Sequence, residues 1–380
     1  MIPYASLDYF LWAAYILLPG MLLRWLFRKY TWPLLIITAA FLAMLFWNRR
    51  EELYFLAGYT IWQGLLIWGY TKVTKKRADW YYGSVVLSLL PLVWVKLVPV
   101  LHFHSFAGFL GISYLSFKCI QMIVEIRDGQ LKTFRLADYL NFLLFFPTIS
   151  AGPIDRRRRF VKDAVQTLSA KEYGDLIYQG IDRLFRGFLY KFIAAYLIQT
   201  YWLGRPLLES HTFSGTMSYM YAYSFYLFFD FAGYSAFAVG FSYLLGIRTP
   251  ENFNKPFLSR NIKDFWNRWH MTLSFWFRDY VYMRLVLLLT RKHVFPSKLL
   301  TSYIGYAALF GLMGLWHGLE LHYIVYGIYH AVLMIAFDVF DRFNKRRGVW
   351  KDGYLTRFMS TLVTFHAVCF GFLIFSGKLF

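Results

Sequence analysis

Charge is scarce in this chain, and acidic charge is scarcest. Only 16% of the 380 residues are charged, with 41 Lys and Arg against 21 Asp and Glu. A soluble domain carries roughly 25%, so an ordinary water-exposed surface is excluded. Cysteine is nearly absent. Cys119 and Cys369 lie in apolar runs without metal-ligand spacing, which leaves two small buried side chains and excludes a disulfide framework. No GxSxG elbow, Walker loop or Rossmann glycine pattern occurs. Covalent chemistry would therefore have to start from a donor that is already activated. The first apolar run has no basic segment before it, which argues against a secretory signal peptide. No low-complexity stretch or long linker divides the chain, so residues 1–380 read as a single integral-membrane domain.

What is present is apolar. Hydrophobic residues make up 58% of the chain and the mean hydropathy is +0.41. Runs long enough for a spanning helix, about 20 residues, recur from end to end. Only helices or a closed barrel cross a bilayer, and these runs are continuous rather than alternating. The fold class is therefore an all-α polytopic membrane protein. The 14 Trp, 30 Tyr and 40 Phe suit interfacial belts and a lined cavity equally well.

Taken in order, candidate spans fall near 8–24, 31–47, 53–70, 81–100 and 105–124. Arg24, Arg28 and Lys29 follow the first, Lys72, Lys75, Lys76 and Arg77 the third, and Arg127, Lys132 and Arg135 the fifth. After the second, Arg49 and Arg50 are offset by Glu51 and Glu52, and the loop around HFHS (102–105) has no Lys or Arg. Positive residues in short loops mark the cytoplasm, so the N-terminus is expected outside. The segment 138–160 meets Pro147, Gly152 and Pro153 after about a dozen apolar residues, too few for a crossing, and suits a re-entrant or interfacial piece. The run Arg156–Arg159 after it again argues for the cytoplasm. A polar amphipathic stretch (161–182), a span near 184–202 and an outer loop (203–213) lead to the long run 214–246, expected as one bent or interrupted helix.

Within 248–280, Phe265, Trp269, Thr272, Leu273 and Trp276 recur at helical spacing, which predicts an amphipathic helix lying in the cytoplasmic interface. A short apolar run (286–300), spans near 300–317, 322–340 and 357–376, and the basic loop 341–353 complete about 10–12 expected crossings plus interfacial or re-entrant helices.

The formal charge of +20 falls mostly on the expected cytoplasmic side. It fits attraction to anionic lipid or the docking of an acidic partner; nucleic acid is excluded because no soluble module presents the charge. Among ionisable groups, Asp230 and His317 lie inside apolar runs, where such groups are costly and mark functional sites. A desolvated imidazole stays neutral and can take a proton from a hydroxyl, so His317 is the candidate base; its alternative is a hydrogen-bonded structural histidine. Gly318 would allow close approach to the backbone. His270 in WNRWH stands beside Asn267 and Arg268, donors suited to a phosphate or an amide-rich arm. Asp230 is expected to orient a histidine or pair with an Arg. His322 and His330 flank an aromatic span without forming a metal set.

At these residues the chain resembles the membrane-bound O-acyltransferase family, and within it the branch that transfers D-alanine to teichoic acid in Gram-positive bacteria. The matching stretches are LGISYLSFKCIQMIVEIRDG (110–129), FPTISAGPIDR (146–156), LFFDFAGYSAFAVG (227–240), NFNKPFLSRNIKDFWNRWHMTLSFWFRDYV (252–281) and GLWHGLELHYIVYGIYH (314–330). The resemblance implies a ring of helices around a central funnel, with His317 as catalytic base and His270 as a second catalytic histidine nearer the donor entrance. It implies a donor tunnel drawing on Trp266, Asn267, Arg268, Trp269 and Asp230. It implies a D-alanyl thioester on the phosphopantetheine arm of an acidic carrier protein, no cofactor held by the chain itself, other membrane proteins of the D-alanylation system as partners, and lipoteichoic acid as acceptor. The carrier would dock on Arg291, Lys292, Val294, Phe295 and Lys298. Two further readings are a polysaccharide O-acetylase with another donor, and a flippase of a lipid-linked substrate; the second would call for an inverted repeat, which the sequence does not display.

Overall fold

The computed structural model describes residues 3–27, 30–73, 78–100, 108–205 and 212–380. Arg28, Lys29, Lys75, Lys76, Arg77, the HFHS loop and residues 206–211 of the expected outer loop lie outside the described residues. The chain divides into two compact units, Met1–Gly187 with Tyr234–Pro250, and Phe188–Gly233 with Glu251–Phe380.

The first unit holds α1 (Leu7–Leu26), α2 (Thr31–Leu45), α3 (Arg50–Lys72), α4 (Ala78–Val100), α5 (Ile112–Arg127), α6 (Leu136–Leu144), α7 (Arg157–Val165) and most of α8 (Ala170–Phe188). Ser6 caps α1 by accepting from the Tyr9 amide. Helix α5 is buried nearly throughout, and its Lys118 donates to the carbonyls of Phe142 (3.0 Å) and Leu143 (3.2 Å) at the end of α6. A cation there satisfies carbonyls that the helix leaves open and complements its dipole. Helix α6 is only nine residues long and gives way to a 3-10 turn carrying Pro147, too short a helix to span a bilayer. Among the arginines after it, Arg157 turns to Glu125 at 2.8 Å and Arg159 to Asp155 at 2.6 Å. The basic run is thus partly neutralised within the fold.

The second unit begins where α8 passes into π-helical turns at Leu189–Ala195 and Ile198–Leu203. Helix α9 (Phe213–Leu244) follows, its residues up to Gly233 belonging here. It is one helix, as expected for 214–246, and of the two forms expected, bent or interrupted, the interrupted one is excluded because it runs unbroken over 32 residues. Next come α10 (Ile262–Trp266), α11 (Met271–Phe277), a π-helical turn (Arg278–Tyr282), α12 (Met283–Arg291), α13 (Lys298–His317), α14 (Leu321–Arg347) and α15 (Tyr354–Phe375).

The interfacial helix expected within 248–280 is not there. Phe265, Trp269, Thr272, Leu273 and Trp276 are all buried, at 0–6% exposure; Phe265 lies on α10, Thr272, Leu273 and Trp276 on α11, and Trp269 in the turn between the two. The break comes at His270, held in the left-handed region at φ +40. The backbone amide of Met271 donates to the Asn252 carbonyl (2.8 Å), that of Asn254 to the Arg268 carbonyl (2.9 Å), and the Thr272 hydroxyl to the Asn252 side chain (2.6 Å). Helical spacing of aromatics marks a buried face as readily as a lipid-facing one, and here it marked burial.

Among the described residues, six helices are long and apolar enough to cross a membrane: α1, α4, α9, α13, α14 and α15. This is fewer than the crossings expected. Helix α2 has 15 residues and α5 has 16, while Tyr, Trp, Gln and Gly dilute the hydropathy of α3.

Candidate active site

His317 owes its position to the crossing of α13 and α14. Ser297 starts α13 by accepting from the amides of Leu299 and Leu300. At Gly314 a β-carbon would lie 2.5 Å from the Tyr323 carbonyl oxygen, and at Gly327 one would lie 2.5 Å from the Phe310 carbonyl oxygen. The two helices therefore meet backbone to backbone, as small residues permit in membrane bundles. One turn beyond Gly314, α13 ends at His317, and Gly318 leads into α14.

The imidazole of His317 lies among rings. Centroid distances are 4.8 Å to Trp316, 5.0 Å to Phe375, and 6.1 Å to both Tyr323 and Tyr326. It lines a cavity of about 110 Å³ together with His270, Trp266, Trp269, Phe231, Met313, Tyr326 and Phe375. His270 packs edge-on against Phe231 at 4.8 Å. Its strained backbone is the kind of feature that functional sites retain. Burial, and then the neighbouring His317 imidazole, push the His270 imidazole down to about 3, so it is neutral at pH 7.

A second cavity of about 220 Å³ adjoins the first, sharing Trp266 and Met313 as wall residues. Its lining adds Lys263, Asn267, Ser274, Arg278, Tyr282 and Tyr306. Arg278 lies over the Phe275 ring at 4.6 Å and donates to Asp279 at 2.9 Å. One chamber thus carries cations and hydroxyls, the other two imidazoles in aromatic walls. Such an arrangement is chemically suited to an anionic, flexible group in the first and to chemistry shielded by aromatic walls in the second.

The structure thus brings His317, His270, Trp266 and Trp269 to one cavity and Asn267 to the next. Arg268 lines neither cavity and pairs with Asp264 at 2.7 Å. Asp230 is ion-paired with Lys191 and, among the described residues, not with a histidine or an arginine; it is the neighbouring Phe231 that reaches the cavity. Lys292, Val294 and Phe295 lie on the turn between α12 and α13, with Arg291 the last residue of α12 and Lys298 the first of α13; all are exposed except the half-buried Phe295. His330 is fully buried beside Trp266 (5.0 Å), and neither ring nitrogen has a hydrogen-bond partner among the described residues. Lys263, Arg278, Met313, Tyr326 and Phe375 were not anticipated. For Met313 and Tyr326 a signal existed, since each stands one helical turn from a flagged histidine (His317 and His330). For Lys263 and Arg278 there was none, because only the reversal at His270 folds one towards the other.

The sequence profile of the membrane-bound O-acyltransferase family matches residues 59–375. The teichoic acid D-alanyltransferase of Bacillus subtilis is 49% identical, the alignment covering 100% of this chain and 99% of that protein. The teichoic acid D-alanyltransferase of Lacticaseibacillus rhamnosus is 42% identical over 99% of this chain and 97% of its own length. A probable alginate O-acetylase of Pseudomonas aeruginosa is 28% identical over 91% of this chain and 67% of its own length.

Proposed function

This chain belongs to the membrane-bound O-acyltransferase family, and from that premise we propose that it moves D-alanine from the phosphopantetheine thioester of an acidic carrier protein onto hydroxyls of lipoteichoic acid. The names of the relatives at 49% and 42% identity support the acyl group and the acceptor. The observation that carries the chemistry is the cavity shared by His317 and His270.

In this reading the carrier docks on the exposed turn around Val294, with Arg291, Lys292 and Lys298 facing its acidic surface. The arm enters the second cavity, where Lys263 and Arg278 face its phosphate. It passes Trp266 and Met313 and brings the thioester to His317. The imidazole takes the proton of the acceptor hydroxyl; the oxygen bonds to the carbonyl carbon, the carbon–sulfur bond breaks, and the proton passes to the departing sulfur. The product is an ester and the free thiol of the arm. Alignment within dry aromatic walls contributes to the rate beyond the proton transfer itself. With the N-terminus outside, the docking turn is cytoplasmic and the ester forms towards the outer face, where other membrane proteins of the D-alanylation system would act.

Purified protein in liposomes, given lipoteichoic acid with either D-alanyl carrier protein or acetyl-coenzyme A, tests the reading. D-alanyl ester from the first and no acetyl ester from the second is the expected result. Acetyl transfer without D-alanyl transfer would assign the chain to O-acetylation.

A further inference from the structure

One acidic side chain beside His317 has no part in the chemistry above. Glu320 occupies the cap position of α14, yet its carboxylate makes no cap hydrogen bond. It turns back instead over Gly318: the Glu320 carboxylate and the edge of the Tyr323 ring fill the place where a β-carbon of Gly318 would stand. Tyr323 in turn lies nearly parallel to the His317 ring, at 26°, and contacts Phe375 at 5.0 Å. No described cation pairs with Glu320. A carboxylate beside the faces and edges of aromatic rings is the chemistry that receives an ammonium ion.

We infer that Glu320, with Tyr323 and Phe375, receives the α-ammonium of an aminoacyl donor and so selects D-alanyl over neutral acyl groups. The inference rests on the reading of function given above. Covalent geometry supports the placement. The ammonium nitrogen lies about 2.5 Å from the thioester carbonyl carbon, and the attacking oxygen, hydrogen-bonded to His317, approaches that carbon at about 3 Å. The ammonium therefore falls within a few ångströms of the imidazole; Glu320, an exposed residue outside the lining of the His317 cavity, lies against Gly318, the residue that follows His317. A propionyl group has the same carbon skeleton and no charge, and makes no use of the carboxylate.

The test compares D-alanyl and propionyl thioesters of one carrier protein, with the full-length protein in liposomes and lipoteichoic acid as acceptor. Wild-type protein is expected to favour D-alanyl by at least about tenfold in kcat/KM. Glu320→Gln is expected to shrink that ratio by about tenfold, and Glu320→Asp, which keeps the charge, to retain part of it. A ratio that Glu320→Gln leaves intact overturns the inference, as does an equal loss with both donors, which would make Glu320 a support of the His317 turn. Wild-type protein that transfers neither group defeats the reading of function itself, and this inference with it.

Discussion

Gly314→Ala puts the placement of His317 to a test that leaves the histidine untouched. A β-carbon at this position stands 2.5 Å from the Tyr323 carbonyl oxygen and 3.4 Å from the α-carbon of Gly327. The first distance falls short of ordinary contact by about 0.9 Å, and the obstructing atom is backbone, which cannot swing aside. Helices α13 and α14 must separate or slide. Overpacking of this kind costs about 1–3 kcal/mol, offset by about 1 kcal/mol from the better helix propensity of Ala. Gly311, one turn earlier on the same helix, has nothing within 4 Å of its β-position, so Gly311→Ala feels only the gain. The two substitutions should therefore differ in sign: Gly311→Ala raises the Tm of the detergent-solubilised protein or leaves it unchanged, and Gly314→Ala lowers it. Because His317 lies three residues beyond Gly314, a displacement near 1 Å should also reduce acyl transfer by about 100-fold. Equal Tm and equal transfer rate in the two variants would refute the backbone-to-backbone crossing as the device that sets His317.

Two further outcomes follow from the site. His270 is depressed to about 3 in the folded protein against an unfolded value near 6.5, so stability is full above about pH 6.5 and falls as the pH drops towards 3. At pH 5 the loss is roughly 2 kcal/mol; thermal melts should show His270→Gln losing less Tm than wild type between pH 7 and pH 5, and parallel losses would contradict the burial argument. Val294→Glu, on the exposed turn, should raise KM for carrier-bound D-alanine and leave transfer from free D-alanyl pantetheine unchanged; equal effects on both donors would remove this turn as the docking surface.

The membrane class was legible because hydropathy is a property of composition and run length, and α13, α14 and α15 fall close to the ranges their apolar runs imply. His317 was legible for a physical reason as well: an imidazole within an apolar run needs an explanation wherever it folds. The stretch 262–277 misled, because the spacing of Phe265, Trp269 and Trp276 says that one face is apolar and not what covers it. The covering is tertiary, fixed by Asn252 and the left-handed backbone of His270. Asp230 misled differently: its cation, Lys191, is 39 residues away in sequence, and no local pattern joins the two. The second cavity was hidden for the same reason, since Lys263 and Arg278 lie on either side of the His270 reversal.

The most direct measurement of the account is transfer by His317→Ala in liposomes, from D-alanyl carrier protein to lipoteichoic acid, with insertion and carrier binding measured on the same sample. General-base catalysis predicts a fall of about 10²–10⁴-fold in ester formation while insertion and carrier affinity stay at wild-type values. Ester formation within a few-fold of wild type would contradict it.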